Sequence, residues 1–170
     1  MEWEYLWSKP FKARYAVAAY YLKDCDEIIE IGGYRTPIDQ FVHKSKKVIV
    51  IDPLIESKTF GNVKHYGCTL KDFPKVFPKS KYGVVILGLL LHDMDKETTT
   101  YLYNLIQNSQ VTVIGIPSSY PASVKQFKEI LQHSHKKVTT TIGFDFSENT
   151  YPSSKNSWPP RTDRKLYVLE

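Results

Sequence analysis

Three groups of residues in this 170-residue chain have types and spacings that can do chemistry. The first is Glu30-Ile31-Gly32-Gly33. Paired glycines let a backbone approach a ligand closely and adopt the positive φ of a tight turn. The second is Asp52, twenty residues beyond Gly32, where an acid after a strand accepts both ribose hydroxyls of a nucleoside. Together they point to an adenosine-containing ligand, although a Gly-Gly turn is common and an acid after a strand also caps helices. The third is His92, followed by Asp93 and Asp95. A neutral imidazole can take a proton at pH 7, and either acid stands near enough in sequence to orient it.

These residues must be positioned by the elements around them. Compact apolar or β-branched runs predict strands over residues 27–31, 47–51, 62–66, 83–89, 111–116, 137–146 and 165–169. Helical spacing predicts helices over 10–23, 36–43, 70–77, 96–108 and 122–134. Strands apolar almost throughout, such as Val48-Ile49-Val50-Ile51, suit a sheet covered on both faces. The expected fold is therefore α/β, a doubly wound, mostly parallel seven-stranded sheet with helices on both faces. Its last two strands have no helix between them and are expected to pair antiparallel. The length suits one domain over 1–170, with 1–24 as an amino-terminal segment and helix. Residues 147–164 form a long connection between the last two strands.

In an open α/β sheet the ligand lies outside the carboxyl ends of the strands. That edge collects Glu30 to Pro37, Asp52-Pro53, Gly67-Cys68-Thr69, the segment around His92, and Pro117 to Tyr120. A helix after the first strand is expected to offer its amino-terminal N–H groups to an anionic group. A nicotinamide-binding turn needs glycine at position 34 or 37, which hold Tyr34 and Pro37. No Gly-Lys-Ser/Thr triplet exists, so a P-loop is excluded.

With Glu30-x-Gly32-Gly33, Asp52 and this order of elements, the chain resembles the class I S-adenosylmethionine-dependent methyltransferases over nearly its whole length. Tyr34 and Thr36 stand where that family places its later glycines, with Gly33 as the compensating residue. The resemblance implies S-adenosylmethionine as cofactor, held by Glu30, Gly32, Gly33, Asp52 and Pro53, with Cys68 and Thr69 flanking the adenine. Leu91-His92-Asp93-Met94-Asp95 is similar to the Leu-His-Asp-Trp-Asp stretch of small-molecule O-methyltransferases, in which the histidine is the general base. That likeness implies His92 as the catalytic base, with Met94 replacing the usual tryptophan. In such folds the last long loop reaches the substrate mouth, which makes Tyr151, Trp158 and Arg161 candidate substrate contacts. No Asn-Pro-Pro-Tyr or Asp-Pro-Pro-Tyr follows the fourth strand, which argues against methylation of DNA-base amines.

Composition narrows the partners. The net charge is +5, carried by 19 lysines and only 4 arginines, a balance suited to a solvated surface rather than to bidentate phosphate recognition. Lys44, Lys46, Lys47, Lys79, Lys81, Lys136 and Lys137 all precede strands, which places them at the edge opposite the ligand. That argues against a nucleic-acid-modifying enzyme and is compatible with an acidic protein partner. Cys25 and Cys68 lack metal-ligand spacing and read as reduced thiols, and His43, His65, His133 and His135 form no metal constellation. No apolar run is long enough to cross a bilayer and the amino terminus has no signal-peptide pattern, so a cytoplasmic protein without a membrane partner is expected. Trp3, Tyr5 and Trp7 are expected to pin the amino-terminal segment to the body. The functional expectation is methyl transfer to a small molecule, at a hydroxyl oxygen. The alternatives are a non-catalytic protein on the same fold, a cofactor sensor or partner subunit, and, more distantly, an RNA methyltransferase.

Overall fold

The computed structural model describes residues 9–34, 37–87, 94–117, 121–145 and 163–170. Trp3, Tyr5, Trp7, Arg35, Thr36, His92, Asp93, Ser118 to Tyr120, Tyr151, Trp158 and Arg161, for which the sequence raised expectations, lie outside the described residues. Among the described residues there are three α-helices, α1 (Lys9–Tyr21), α2 (Lys96–Asn108) and α3 (Pro121–Ser134). The strands are β1 (Glu27–Ile31), β2 (Lys47–Ile51), β3 (Lys58–Phe60), β4 (Val63–Tyr66), β5 (Tyr82–Ile86), β6 (Val111–Pro117), β7 (Val138–Asp145) and β8 (Asp163–Leu169). They form one sheet in the order β3-β4-β2-β1-β5-β6-β8-β7. Strands β4, β2, β1, β5 and β6 run parallel, and β8 is antiparallel to both β6 and β7.

Side chains of successive strand residues point to opposite faces, which explains why the central strands carry apolar residues on both faces. Ile28, Val48, Val50, Val85, Val113 and Leu166 face α1, where Tyr15, Ala18 and Leu22 cover them. Ile29, Ile31, Ile51, Val84, Ile86 and Ile114 face α2 and α3, packing on Leu102, Leu105, Phe127 and Ile130. Among the described residues no helix is long and apolar enough to cross a membrane.

Three sequence expectations are corrected. The sheet has eight strands rather than seven, because residues 58–66 fold as an antiparallel hairpin closed at Phe60↔Val63. Its two-residue loop puts Gly61 at φ 57°, the first central position where II′ hairpins place glycine. The helix expected over 36–43 is, within the described residues, a single 3₁₀ turn over Ile38–Gln40. No helix forms over 70–77: a turn at 70–73 runs into irregular chain. Pro74 and Pro78 remove backbone donors there and push Phe73 and Phe77 away from helical conformation.

An aromatic cluster holds that irregular segment. Phe73 is fully buried, edge-on to Tyr66 at 5.0 Å and tilted against Tyr101 at 6.2 Å. Tyr101 donates its hydroxyl to the Val76 carbonyl at 2.8 Å and meets Phe77 edge-on.

The lysines expected at the amino-terminal edge of the sheet are found there, and several tie the chain together. Lys46 donates to the carbonyls of Lys23 and of Cys25 (2.6 Å), just before β1. Lys136 donates to the Ser109 carbonyl at 2.6 Å, just before β6, and Lys47 pairs with Glu27 at 3.2 Å.

Because Phe73 anchors a segment without regular hydrogen bonding, Phe73→Ala is expected to cost about 3–5 kcal/mol. A urea titration reads this as a lower midpoint with the native far-UV spectrum retained before the transition.

Candidate active site

The carboxyl ends of β1, β2 and β4 meet at one corner of the sheet, and the turn after β1 organises it. Gly32 donates its N–H to the Ile51 carbonyl at 2.9 Å, carrying the β1–β2 ladder one residue past β1. It then turns at φ 85°, a region that favours glycine. Gly33 answers a different need. A Cβ there would lie 2.6 Å from both Glu30 Oε2 and Val50 Cγ1. The first glycine is needed for conformation and the second for space.

Glu30 is fully buried beneath this turn. Its Oε2 accepts the Ile38 N–H at 2.6 Å, fastening the 3₁₀ turn to the end of β1. Among the described residues its Oε1 has no hydrogen-bond partner. Burial pushes the carboxyl up to about 8; the Ile38 N–H opposes this, and the nearby Asp39 and Asp52 charges reinforce it. The expected helix amino terminus is thus replaced by one short turn whose Ile38 amide is already used by a side chain.

Asp52 is buried at the end of β2 and is gripped on both sides. Its Oδ2 accepts the Tyr34 N–H at 3.1 Å and its Oδ1 accepts the Leu54 N–H at 2.8 Å. Its own N–H donates to the Tyr66 carbonyl, extending the β2–β4 ladder. A carboxylate has about four acceptor sites, so two remain for a ligand. Pro53 and Leu54 follow on the surface, Leu54 with 68% of its area exposed. An apolar side chain this open beside a buried acid offers a platform for a flat ring.

Asp39 and His65, which carried no assigned role, form a second polar contact at this corner. Asp39 Oδ1 lies 3.1 Å from His65 Nε2, joining the 3₁₀ turn to β4. The sequence signal was a histidine on the core-facing side of a strand, two residues after Val63. Tyr34, Pro37, Asp39, Leu54, Phe60 and His65 contribute to the lining of a cavity of about 340 Å³ between the 3₁₀ turn and the β3 hairpin.

The other expected residues fall nearby with different tasks. Cys68 is half-buried against the core and its thiol is raised, first by burial. Thr69 is exposed; its hydroxyl donates to Asp72 Oδ2 at 2.7 Å and receives the Asp72 N–H, closing the turn at 70–73. Asp95, a candidate to orient His92, caps α2. Its Oδ1 accepts the Thr98 N–H at 2.8 Å, and the Thr98 hydrogen bonds hold its carboxyl below the usual range.

Two predictions follow from the turn. Gly33→Ala is expected to destabilise the fold by about 1–3 kcal/mol, because Glu30 and Val50 must both give way; thermal unfolding checks this. Glu30 binds a proton more tightly folded than unfolded, so its contribution to stability is present below about pH 4.5 and is lost as pH rises through about 8. The Tm of Glu30→Gln relative to the unsubstituted protein is therefore expected to rise between pH 5 and pH 9.

No family model and no curated protein sequence matches the chain. Solved structures do match its fold. The Burkholderia thailandensis 1,6-didemethyltoxoflavin-N1-methyltransferase, crystallised with 1,6-didemethyltoxoflavin and S-adenosylhomocysteine, superposes with a TM-score of 0.63 at 12% identity, covering 96% of this chain and 80% of its own. The N-methyltransferase NodS of Bradyrhizobium japonicum gives 0.61 at 11% identity over 95% of this chain and 97% of its own. The magnesium protoporphyrin IX methyltransferase of Synechocystis, with bound S-adenosylmethionine, gives 0.55 at 13% identity over 95% and 77%. With its parallel core and antiparallel carboxyl-terminal strands, the chain has the fold of the class I S-adenosylmethionine-dependent methyltransferases.

Proposed function

We propose that the chain binds S-adenosylmethionine at the carboxyl ends of β1 and β2 and transfers its methyl group to a small molecule. The observation that carries this reading is the Asp52 carboxylate, fixed by the Tyr34 amide beside a Gly32-Gly33 turn with no room for a side chain. Asp52 keeps acceptor capacity for two ribose hydroxyls, and Pro53 and the exposed Leu54 lie next to it. Glu30 fixes the turn from below through Ile38. Cys68 and Thr69, at the end of β4, are assigned to the adenine side.

The 3₁₀ turn sharpens the choice of cofactor. A dinucleotide pyrophosphate needs free amides at a helix amino terminus, and here the Ile38 amide of the short turn is bonded to Glu30. An adenosyl cofactor without phosphates makes no such demand. When bound, it supplies an electrophilic methyl group on a positive sulfonium.

The chain's own part is to position the acceptor in line and to exclude water. His92 is assigned to accept the proton of an acceptor hydroxyl, and Tyr151, Trp158 and Arg161 to contact the acceptor. The solved structures of this fold include enzymes named for 1,6-didemethyltoxoflavin and magnesium protoporphyrin IX, which supports a small-molecule acceptor. So does the position of the lysines, on the sheet edge remote from Asp52. The shortness of the turn after β1 favours one second reading, a non-catalytic cofactor-binding protein on the same fold.

Calorimetric titration tests the binding step. Saturable one-to-one binding of S-adenosylmethionine is expected, and Asp52→Asn is expected to weaken it about ten- to hundredfold. Binding of NAD in its place, or of neither, contradicts the reading. Cofactor binding without turnover over a screen of hydroxylated acceptors, unchanged by His92→Ala, moves the assignment to the non-catalytic protein.

A further inference from the structure

Three carboxylates converge beneath the glycine turn, and only two of them are satisfied. Asp52 is held by the Tyr34 and Leu54 amides. Asp39 is held by His65 of β4. Glu30 has the Ile38 amide on one oxygen, and its other oxygen, fully buried, has no partner among the described residues. Gly33 sits directly against this carboxyl, so the side chain has no room to swing away.

Among the described residues, two charges that raise the Glu30 carboxyl come from two elements, Asp39 from the 3₁₀ turn and Asp52 from the end of β2. From α1, the buried Arg14 lies on the stripe that carries Ala18 and Leu22. A buried carboxyl between two anions, with one oxygen unsolvated, holds its proton at neutral pH. Burial and those neighbours place its ionisation near 8. The cofactor assigned to this turn carries an α-ammonium, an α-carboxylate and a sulfonium, a net positive charge at neutral pH. A cation arriving beside such a carboxyl favours its ionised form.

From this geometry we propose that cofactor binding is coupled to proton release, with Glu30 as the group that ionises. The inference rests on the cofactor reading above. The step balances simply: the Glu30 O–H bond breaks, its electron pair stays on the carboxylate, and the proton passes to bulk buffer. Glu30 is here a positioning residue whose charge state changes on binding, and it takes no part in methyl transfer.

The test is calorimetry of S-adenosylmethionine binding at pH 7 in phosphate, HEPES and Tris, which differ in ionisation enthalpy. The observed enthalpy is expected to vary linearly with buffer enthalpy, with a slope of about 0.5–1 proton released per site. S-adenosylhomocysteine, which lacks the sulfonium charge, is expected to give a smaller slope. In Glu30→Gln, binding is expected to remain measurable while the slope falls to near zero. Asp39→Asn removes one of the two anions that keep Glu30 protonated and is expected to reduce the slope, which keeps the test decisive if Glu30→Gln does not fold. Saturable binding with a buffer-independent enthalpy overturns the coupling while leaving the cofactor reading in place. A slope that persists in Glu30→Gln, or is unchanged in Asp39→Asn, overturns the role of Glu30. Absence of saturable binding overturns the cofactor reading together with the coupling.

Discussion

A buried carboxyl with a backbone pressed against it is the constraint on which this corner of the molecule depends. Glu30 is the next-to-last residue of β1, between Ile29 and Ile31, and it replaces the amide partners of a helix start with a single contact to Ile38. That contact fixes where the chain turns, and Gly33 must be glycine for the turn to pass over it. The turn then aims the Tyr34 amide at Asp52 and the Asp39 side chain at His65, joining β1, β2 and β4 at their carboxyl ends. None of these bonds is long-range in space, yet together they link residues up to 26 apart in sequence. The two apolar layers make the sheet rigid; the polar corner gives it direction.

Charge is distributed along the sheet with the same logic. Glu30, Asp39 and Asp52 meet near the carboxyl ends of β1 and β2, and several lysines stand where strands begin. Lys46 and Lys136 neutralise carbonyls left over just before β1 and β6, so part of the positive charge has a structural task. The acidic corner formed by Glu30, Asp39 and Asp52 suits a positively charged cofactor on local electrostatic grounds.

Much of the scaffold was legible in the residues because it rests on periodicity. Strands β1 and β2 and helix α2 span the residues that their apolar patterns mark, and the lack of a helical pattern in the sequence before β8 marked the antiparallel pair. The glycines and Asp52 were legible by type and spacing, and the structure gives each a specific physical reason. Two helices were misread because apolar spacing competed with stronger local chemistry: Pro74 and Pro78 in one case, the Glu30–Ile38 bond in the other. That bond joins a strand end to a turn eight residues on, so the periodicity of neither segment contains its cause. The β3 hairpin was announced only by Gly61-Asn62, and the Asp39–His65 pair only by a histidine at a core-facing strand position.

Where the adenosyl group sits is the central claim, and an amide-resolved NMR titration with S-adenosylhomocysteine addresses it most directly. The account predicts saturable shifts concentrated at the amides of Gly32, Gly33, Tyr34 and Leu54, around the Asp52 carboxylate. Shifts concentrated instead at the opposite edge, near Lys47, Asn62 and Gln110, or no saturable shift at all, would contradict it.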